Sequence, residues 1–222
     1  MKKSRFALLS LILLARPCAV TAAQQWGDFI YRTDGSSITV TGYTHCWPPG
    51  GTATIPDMID GLPVTRIWGC AFWECYGPTS VTIPSSVTNI GVQAFASSSV
   101  RALYCRGNAP GVDFDGCGLS TVYYLPGTTG WGPTLGGRPT APWVLPNPLI
   151  LTTAPGFGVR TNGFGFVVSW ATNASVVVEA CTDLAHPNWS PVATNALSDG
   201  WSKFSDLEWT NHPGRFYRIR SP

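Results

Sequence analysis

Histidine is the side chain best suited to acid–base catalysis near neutral pH, and the chain contains only three, His45, His186 and His212. The last two directly precede Pro187 and Pro213, which indicates loop positions. The sequence contains no Gly-x-Ser-x-Gly motif and no His-Glu-x-x-His pair. Acidic residues are sparse, and no two form a convincing catalytic pair. A nucleophile with its base and orienting group is not indicated, so the sequence predicts a protein that is not an enzyme.

Two clusters contain residue types that bind metal ions. His45, Cys46, Cys70 and Cys75 offer zinc ligands, but structural zinc sites have ligands paired about two to four residues apart, and this spacing fits poorly. The segment Asp113-Phe114-Asp115-Gly116 opens like a calcium loop but lacks a third acidic ligand and a closing Glu. An Asp-Gly turn is the simpler interpretation. The sequence therefore predicts no metal and no cofactor.

Both clusters lie in or beside a region with a repeated pattern. Val64-Thr65-Arg66-Ile67 and Val87-Thr88-Asn89-Ile90 are each followed by Ala-Phe, and the matched positions are 23 residues apart. The alternation of apolar and polar residues predicts short, half-buried strands. A second set of strands is expected at 53–56, 80–84, 102–105 and 121–126. A fixed period of this size predicts a solenoid, in which each coil buries its apolar face only by stacking on its neighbours.

These residues resemble the BspA-like class of bacterial leucine-rich repeats, whose unit reads approximately V-T-x-I-G-x-x-A-F-x-x-C-x-x-L-x-x-V-x-I-P. Ile90-Gly91-Val92-Gln93-Ala94-Phe95 and Val81-Thr82-Ile83-Pro84 match that unit, and Ala71-Phe72-Trp73-Glu74-Cys75 supplies its Cys. The resemblance covers about residues 36–140 and departs from the pattern at Ser98, where the second Cys is missing. It implies a short, mostly β solenoid with a non-enzymatic role in adhesion or protein recognition.

The polar side of the repeated strands is the expected place for a ligand. On that side we expect the following residues: Thr65, Arg66, Thr82, Thr88, Asn89 and Arg101, with Trp68 and Trp73 beside them. From this set the predicted binding residues are Arg66, Trp68, Trp73, Asn89 and Arg101. Exposed Trp rings, including Trp47 and Trp131, would suit sugar rings or protein hot spots. The sequence alone nevertheless favours packing of Trp68 and Trp73 between coils or against the caps.

The first residues predict export. Basic residues at positions 2, 3 and 5 precede an apolar run over 6–15 and small residues up to Ala23, which is the pattern of a secretory signal peptide over residues 1–23. No later run is long and apolar enough for a transmembrane helix. We therefore expect a protein that is secreted or held at the cell surface, and the resemblance implies that it is bacterial.

Removal of residues 1–23 also changes the charge of the chain. The whole sequence carries 14 basic and 12 acidic residues, and the signal peptide accounts for four of the basic ones and none of the acidic ones. The mature chain is then slightly acidic, which removes the electrostatic basis for nucleic-acid binding. The late cluster Arg215, Arg218 and Arg220 is expected to be the polar face of a strand.

Six cysteines follow residue 23, and an even number in an exported protein permits disulfides. Proximity of neighbouring coils makes Cys46, Cys70, Cys75, Cys105 and Cys117 the pool for pairing and leaves Cys181 alone. The sequence does not choose among the possible pairings. An equally good interpretation is that several of these residues are small buried apolar side chains.

A change in composition divides the chain after the repeats. Residues 141–156 contain four prolines without strand alternation, which predicts a linker. Alternation returns over 164–170, 176–180 and 215–220 and predicts a small antiparallel β domain, sandwich-like in character, over 157–222. The predicted order is thus signal peptide, solenoid with caps over 24–140, linker over 141–156 and β domain.

The sequence as a whole predicts a mainly β protein, a short leucine-rich-repeat-type solenoid followed by a small antiparallel β domain. Its expected function is non-enzymatic recognition of a protein or glycan ligand on the solenoid face. A carbohydrate-binding module of an exported protein is the alternative.

Overall fold

A computed structural model describes residues 22–152, 156–161 and 163–221 of the chain. Apart from its last two positions, the predicted signal peptide lies outside the described residues. Within these ranges, no helix combines the length and the apolar character needed to cross a membrane.

Short strands make up the first part of the chain. In order they are β1 (Gln24–Trp26), β2 (Phe29–Thr33), β3 (Ile38–Tyr43), β4 (Thr52–Thr54), β5 (Met58–Ile59), β6 (Leu62–Ile67), β7 (Ser80–Ile83), β8 (Asn89–Ile90), β9 (Ala102–Cys105), β10 (Gly111–Val112), β11 (Thr121–Tyr124), β12 (Thr134–Leu135) and β13 (Arg138–Pro142).

Two sheets alternate along this part of the chain. The first sheet has the order β1-β2-β3-β6-β8-β10, with β5 beside β6, and the second sheet has the order β12-β13-β11-β9-β7-β4. From β3 onward the coils pair in parallel, and successive coils contribute strands to both sheets. The result is a β-solenoid, as the sequence predicted. It has about five turns.

The 23-residue period sets the register between the second and third coils. Arg66 pairs with Asn89 and Ile67 with Ile90. The turns that follow repeat the same backbone conformation, with positive φ at positions matched by the period: Cys70 (60°) and Gln93 (55°), Glu74 (52°) and Ser97 (53°). The predicted strand over 53–56 pairs as expected with the strand 28 residues later, through Ala53 and Val81.

A column of aromatic rings runs through the solenoid core. Phe29, Tyr43, Phe72 and Phe95 stand in succession, with ring centroids 5.1, 5.2 and 5.1 Å apart. These distances match the spacing of about 4.8 Å between neighbouring strands, so each coil adds one ring to the column. Phe72 and Phe95 are completely buried. The Ala-Phe pair of the repeat therefore supplies the contact that holds consecutive coils together.

The remaining strands form two antiparallel sheets. They are β14 (Leu149–Leu151), β15 (Gly158–Arg160), β16 (Gly163–Ser169), β17 (Ser175–Cys181), β18 (Ser190–Ala196), β19 (Trp201–Asp206) and β20 (Phe216–Arg220), with a 3-10 turn at Trp209–Asn211. β16 pairs with β14, β15 and β19, and β17 pairs with β18 and β20. The two sheets enclose a core that includes Phe166, Val176, Val178 and Phe204. This part of the chain is antiparallel and sandwich-like, as predicted.

The proline-rich stretch after the solenoid is held at several points. The Trp143 backbone N–H donates to the Tyr124 carbonyl oxygen (2.6 Å). The Trp143 ring packs on Tyr104, with ring centroids 5.0 Å apart. Strand β14, within this stretch, joins β16. A small apolar cluster contains Leu125 of the solenoid, Leu151 of β14 and Val167 of β16. The stretch therefore contacts both the solenoid and the antiparallel sheets.

The structure chooses one pairing among the cysteines. Cys46 and Cys75 form a disulfide between neighbouring coils. Cys70 is free and exposed, whereas Cys105, Cys117 and Cys181 are free and buried. Burial raises the pKa of the Cys105 thiol to about 12. Both interpretations of the sequence thus apply, each to different cysteines.

The aromatic column gives a first testable prediction. Phe72→Ala should lower the free energy of unfolding by about 3–5 kcal/mol, because it opens a cavity in the core. Trp73→Ala is the matched control, since this neighbouring aromatic side chain is exposed and its loss should change stability by no more than about 0.5 kcal/mol. Urea denaturation measures both, and equal losses would contradict a core column at Phe72.

The cysteine assignment predicts a labelling pattern. Iodoacetamide added to the folded, unreduced protein should alkylate Cys70 and spare Cys105, Cys117 and Cys181, because alkylation requires an accessible thiolate. Peptide mass mapping should recover Cys46 and Cys75 in one linked peptide pair. The same reagent in denaturant should reach all four free thiols. Alkylated Cys46 without prior reduction would contradict the assigned disulfide.

Candidate binding face of the solenoid

The solvent side of the first sheet carries a row of polar residues. Thr39 pairs with Arg66, Arg66 with Asn89, and Asn89 with Gly111, on strands β3, β6, β8 and β10. Arg66 and Asn89 are exposed, whereas the neighbouring residues Val40, Ile67 and Ile90 point into the core. The V-T-x-I pattern produces this arrangement because its apolar positions face inward and its variable position faces the solvent.

Trp68 extends this face by one position along β6. The Trp68 backbone N–H donates to the Val40 carbonyl oxygen (2.7 Å), which continues the backbone ladder beyond the end of β6. Exposure alternates over Arg66, Ile67 and Trp68, so Trp68 projects on the same side as Arg66. The residue as a whole is 55% exposed. The expectation that Trp68 packs between coils is therefore wrong, because Ile67 takes the inward position.

A glycine in the next coil lets two backbone segments pack closely next to Trp68. Gly91 follows Ile90, and its N–H donates to the Ile67 carbonyl oxygen (2.9 Å). A Cβ at Gly91 would lie 2.5 Å from the Gly69 nitrogen and 3.0 Å from the Trp68 carbonyl carbon. Only glycine permits this approach of the two coils. The neighbouring coil consequently packs its backbone against that of residues 68 and 69 and adds no side chain there.

The other predicted binding residues lie elsewhere. Trp73 is 54% exposed, so packing between coils is wrong for this residue too, but it stands in the turn after β6 and not on the sheet. Arg101 precedes β9 of the second sheet, and its Nη1 donates to the carbonyl oxygens of Ser98 (2.9 Å) and Val100 (3.2 Å). The structure therefore brings together Arg66, Trp68 and Asn89 and separates Trp73 and Arg101 from them.

Thr82 does not belong to an exposed polar ladder. It pairs with Tyr104 on the second sheet and is buried, with 7% exposure. Tyr104 stacks on Tyr123 with ring centroids 4.9 Å apart, and Trp143 packs against Tyr104. Aromatic rings therefore occupy this side of the second sheet, where the sequence predicted polar solvent contacts.

Two further tryptophans flank the solenoid. Trp47 is 69% exposed and meets Tyr76 edge to face at 6.5 Å, next to the Cys46–Cys75 disulfide. Trp131 is half-buried, stacks on Tyr124 at 5.1 Å and donates from Nε1 to Thr128 Oγ1 (2.8 Å). Trp131 therefore stabilises the end of the solenoid, whereas Trp47 is accessible.

A groove of about 700 Å³ lies between the ends of the coils and segment 143–152. Its polar lining includes Asp57 and Arg106, which form an ion pair at 3.8 Å, and the hydroxyls of Ser85 and Ser86. Ser86 Oγ donates to the Val64 carbonyl oxygen (2.7 Å). Within the described ranges, neither hydroxyl is hydrogen-bonded to a carboxylate or an imidazole, and no histidine lines the groove. The groove therefore offers space without the geometry of an activated nucleophile.

The residue types considered for chemistry are dispersed. Among the residues that the structure describes, no three His, Cys, Asp or Glu side chains come together as a metal site. Asp113 Oδ1 accepts a hydrogen bond from the Asp115 N–H (3.0 Å), which is the geometry of a turn. His186 Nδ1 lies 3.2 Å from Asp183 Oδ2, and both side chains are well exposed.

The three arginines near the C-terminus form ion pairs with two buried carboxylates. Glu179 on β17 accepts hydrogen bonds from Arg218 Nε (2.7 Å) and Arg220 Nε (2.9 Å) on β20. Hydrogen bonds from Arg220 and Arg218 hold the pKa of the Glu179 carboxyl below its ordinary value. Arg215 Nη1 lies 2.8 Å from Asp206 Oδ2. Arg218 and Arg220 thus form the polar face of β20, as predicted, whereas Arg215 precedes this strand.

Comparison with known proteins adds little beyond this geometry. No protein-family model matches the chain, and no curated protein sequence matches it. A solved structure of a leucine-rich repeat protein from T. pallidum is similar at 24% identity over 46% of this chain, with a TM-score of 0.33. The match spans about half of that protein, 53% of its length. The chain's own fold defines it as a β-solenoid joined to antiparallel sheets.

The Glu179 cluster predicts a dependence of stability on pH. A carboxyl with a lowered pKa in the folded state stabilises the protein above its unfolded pKa, and this contribution is lost as the pH falls through the folded pKa. Glu179→Gln should therefore lower the free energy of unfolding at pH 7. Between about pH 5 and pH 3, the stability of this variant should fall less steeply than that of the wild type. Thermal unfolding across this range measures the effect.

Glu208→Gln is the control, because the Glu208 side chain is exposed and forms no ion pair within the described residues. Equal pH profiles for wild type and Glu179→Gln would contradict the role of this cluster.

Proposed function

We propose that this protein is an exported, non-enzymatic recognition module of the BspA-like leucine-rich-repeat kind, which binds a protein or glycan ligand for adhesion. One observation carries the proposal: Arg66, Trp68 and Asn89 lie together and exposed on one face of the first sheet. Parallel ladders fix the backbone of this face before any ligand arrives. Binding to such a preformed surface has a low ordering cost.

Export is supported by two independent features. The first residues have the pattern of a signal peptide over 1–23. The Cys46–Cys75 disulfide is typical of proteins in oxidising compartments. We therefore propose that the mature protein lies outside the cytoplasm, secreted or at the cell surface, with a solenoid over 24–140, a linker over 141–156 that includes β14, and a β domain over 157–222.

The shape of the face supports binding over catalysis. Its polar groups are spread along a row at the spacing of the strands, so they do not converge on one reacting atom. The mature chain is slightly acidic overall, so its net charge supplies no long-range attraction to nucleic acid.

Carbohydrate binding is the second candidate, and a specific feature favours it. Trp68 is exposed on the same face as Arg66, so an aromatic side chain stands in the solvent next to the polar row. Sugar rings combine apolar faces with hydroxyls, so they suit a ring flanked by the donors of Arg66 and Asn89.

The binding face can be tested with matched tryptophan variants. The mature protein should bind at least one member of a panel of purified extracellular proteins and immobilised polysaccharides, measured by surface plasmon resonance. Trp68→Ala should raise the dissociation constant about tenfold or more, because it removes a central aromatic contact. Trp73→Ala, in the same coil and equally exposed, should bind as the wild type.

Two results would contradict this face as the binding site. One is unchanged binding by Trp68→Ala, and the other is loss of binding by Trp73→Ala alone, which would move the site to the turn. A protein that binds no member of the panel would count against the recognition function itself.

A further inference from the structure

The polar row of the first sheet begins one strand earlier than the repeat. Arg32 of β2 pairs with Thr39, which pairs with Arg66, so the row continues from Arg32 through Thr39, Arg66 and Asn89 to Gly111. Arg32 is exposed. Neighbouring strands lie about 4.8 Å apart, which places the Arg32 and Arg66 backbones about 10 Å apart on one face.

Both guanidinium groups are available to a ligand. Within the described residues, neither Arg32 nor Arg66 takes part in an ion pair. Within the described residues, Asp34 and Asp60 form no ion pair with either arginine. Asp34 accepts hydrogen bonds from the Ser36 and Ser37 N–H groups, both at 2.8 Å, and Asp60 accepts one from the Tyr31 hydroxyl. The row therefore carries two unneutralised positive charges.

The far end of the row is polar and open. Asn89 Nδ2 would lie 3.5 Å from a Cβ at Gly111, so the amide extends over this glycine. Gly111 itself adds no side chain. The row thus offers amide and hydroxyl groups from Asn89 and Thr39 between and beyond the two arginines.

We propose that this row binds an acidic polysaccharide, with carboxylate or sulfate groups at Arg32 and Arg66 and a sugar ring on Trp68. The inference rests on the proposed recognition function and assigns its ligand class. Guanidinium groups bind carboxylates and tetrahedral oxyanions through paired hydrogen bonds, and these charge-assisted bonds are stronger than neutral ones. The two arginines are two strand spacings apart, so they can bind charged groups that recur along an extended chain.

Trp68 favours a glycan over an acidic peptide. Its exposed side chain lies two residues from Arg66 on the same face. An acidic peptide strand would need the arginines but has no ring to place on the indole. A charged sugar uses both features, since its ring stacks while its acidic group reaches Arg66.

Defined polymers test the proposal on the mature protein. Polygalacturonate carries carboxylates, dextran sulfate carries sulfates, unmodified dextran carries neither, and poly-L-glutamate carries carboxylates on a peptide. Affinity electrophoresis or calorimetry should show binding to at least one acidic polysaccharide and none to dextran. Binding should weaken as sodium chloride is raised, because salt screens exposed charges.

Charge variants locate the site. Arg32→Gln and Arg66→Gln should each weaken binding to the acidic polysaccharide, and the double variant should weaken it about tenfold or more. Arg160→Gln is the matched control: Arg160 is exposed on β15, which belongs to a different sheet, so the variant loses the same charge outside the row. Trp68→Ala should weaken binding to the polysaccharide and leave any binding to poly-L-glutamate unchanged.

The outcomes separate this inference from the broader proposal. No binding to either acidic polysaccharide, with protein ligands still lost on Trp68→Ala, would overturn the ligand class and leave the recognition face in place. Equal binding to poly-L-glutamate would overturn the preference for glycans. Equal weakening by Arg160→Gln would show attraction by overall charge and overturn the site.

Discussion

The stacking of one coil on the next is the interaction on which the rest of this structure depends. No coil encloses an apolar core alone, so each must lie in register with its neighbours at the spacing of about 4.8 Å set by backbone hydrogen bonds. The aromatic column through Phe72 and Phe95 has the same spacing, with centroids 5.1 Å apart. Side-chain packing and backbone pairing therefore require the same register, and a shift of one residue would disrupt both.

The same register creates the outer face. Because Ile67 and Ile90 are fixed in the core, Arg66 and Asn89 are brought side by side on the solvent side. The hairpin at the N-terminal end adds Arg32 to this row, and so contributes to the surface while it covers the first coil. At the other end, Leu125 packs with Leu151 and Val167, which joins the solenoid to the antiparallel sheets.

The sequence predicted the solenoid because its signal is periodic: the matched Val, Ile, Ala and Phe positions define which residues point inward. It placed Arg66 and Asn89 correctly for the same reason. The sequence-based prediction was wrong where residues outside the repeat determine whether a side chain is buried. Thr82 is buried on the side of the second sheet that Tyr104, Tyr123 and Trp143 occupy, and only Trp143's return from the end of the solenoid reveals this.

Other features had no signal of this kind. Arg32 lies before the repeat and enters the row through an antiparallel hairpin, so no period connects it to Arg66. The pairing of Cys46 with Cys75 depends on how the first turn folds against the second, which spacing alone does not define. The exposure of Trp68 was predictable from strand alternation, had the strand been continued one residue past Ile67.

The separation of inward and outward positions has an evolutionary consequence. A coil inserted by duplication between β8 and β10 would bring its own core ring and backbone partners, and both end caps would remain as they are. Such an event would lengthen the outer row by one strand spacing and add one freely variable position to it. Selection can therefore change the reach and chemistry of this surface in discrete steps while the residues that maintain the fold stay the same.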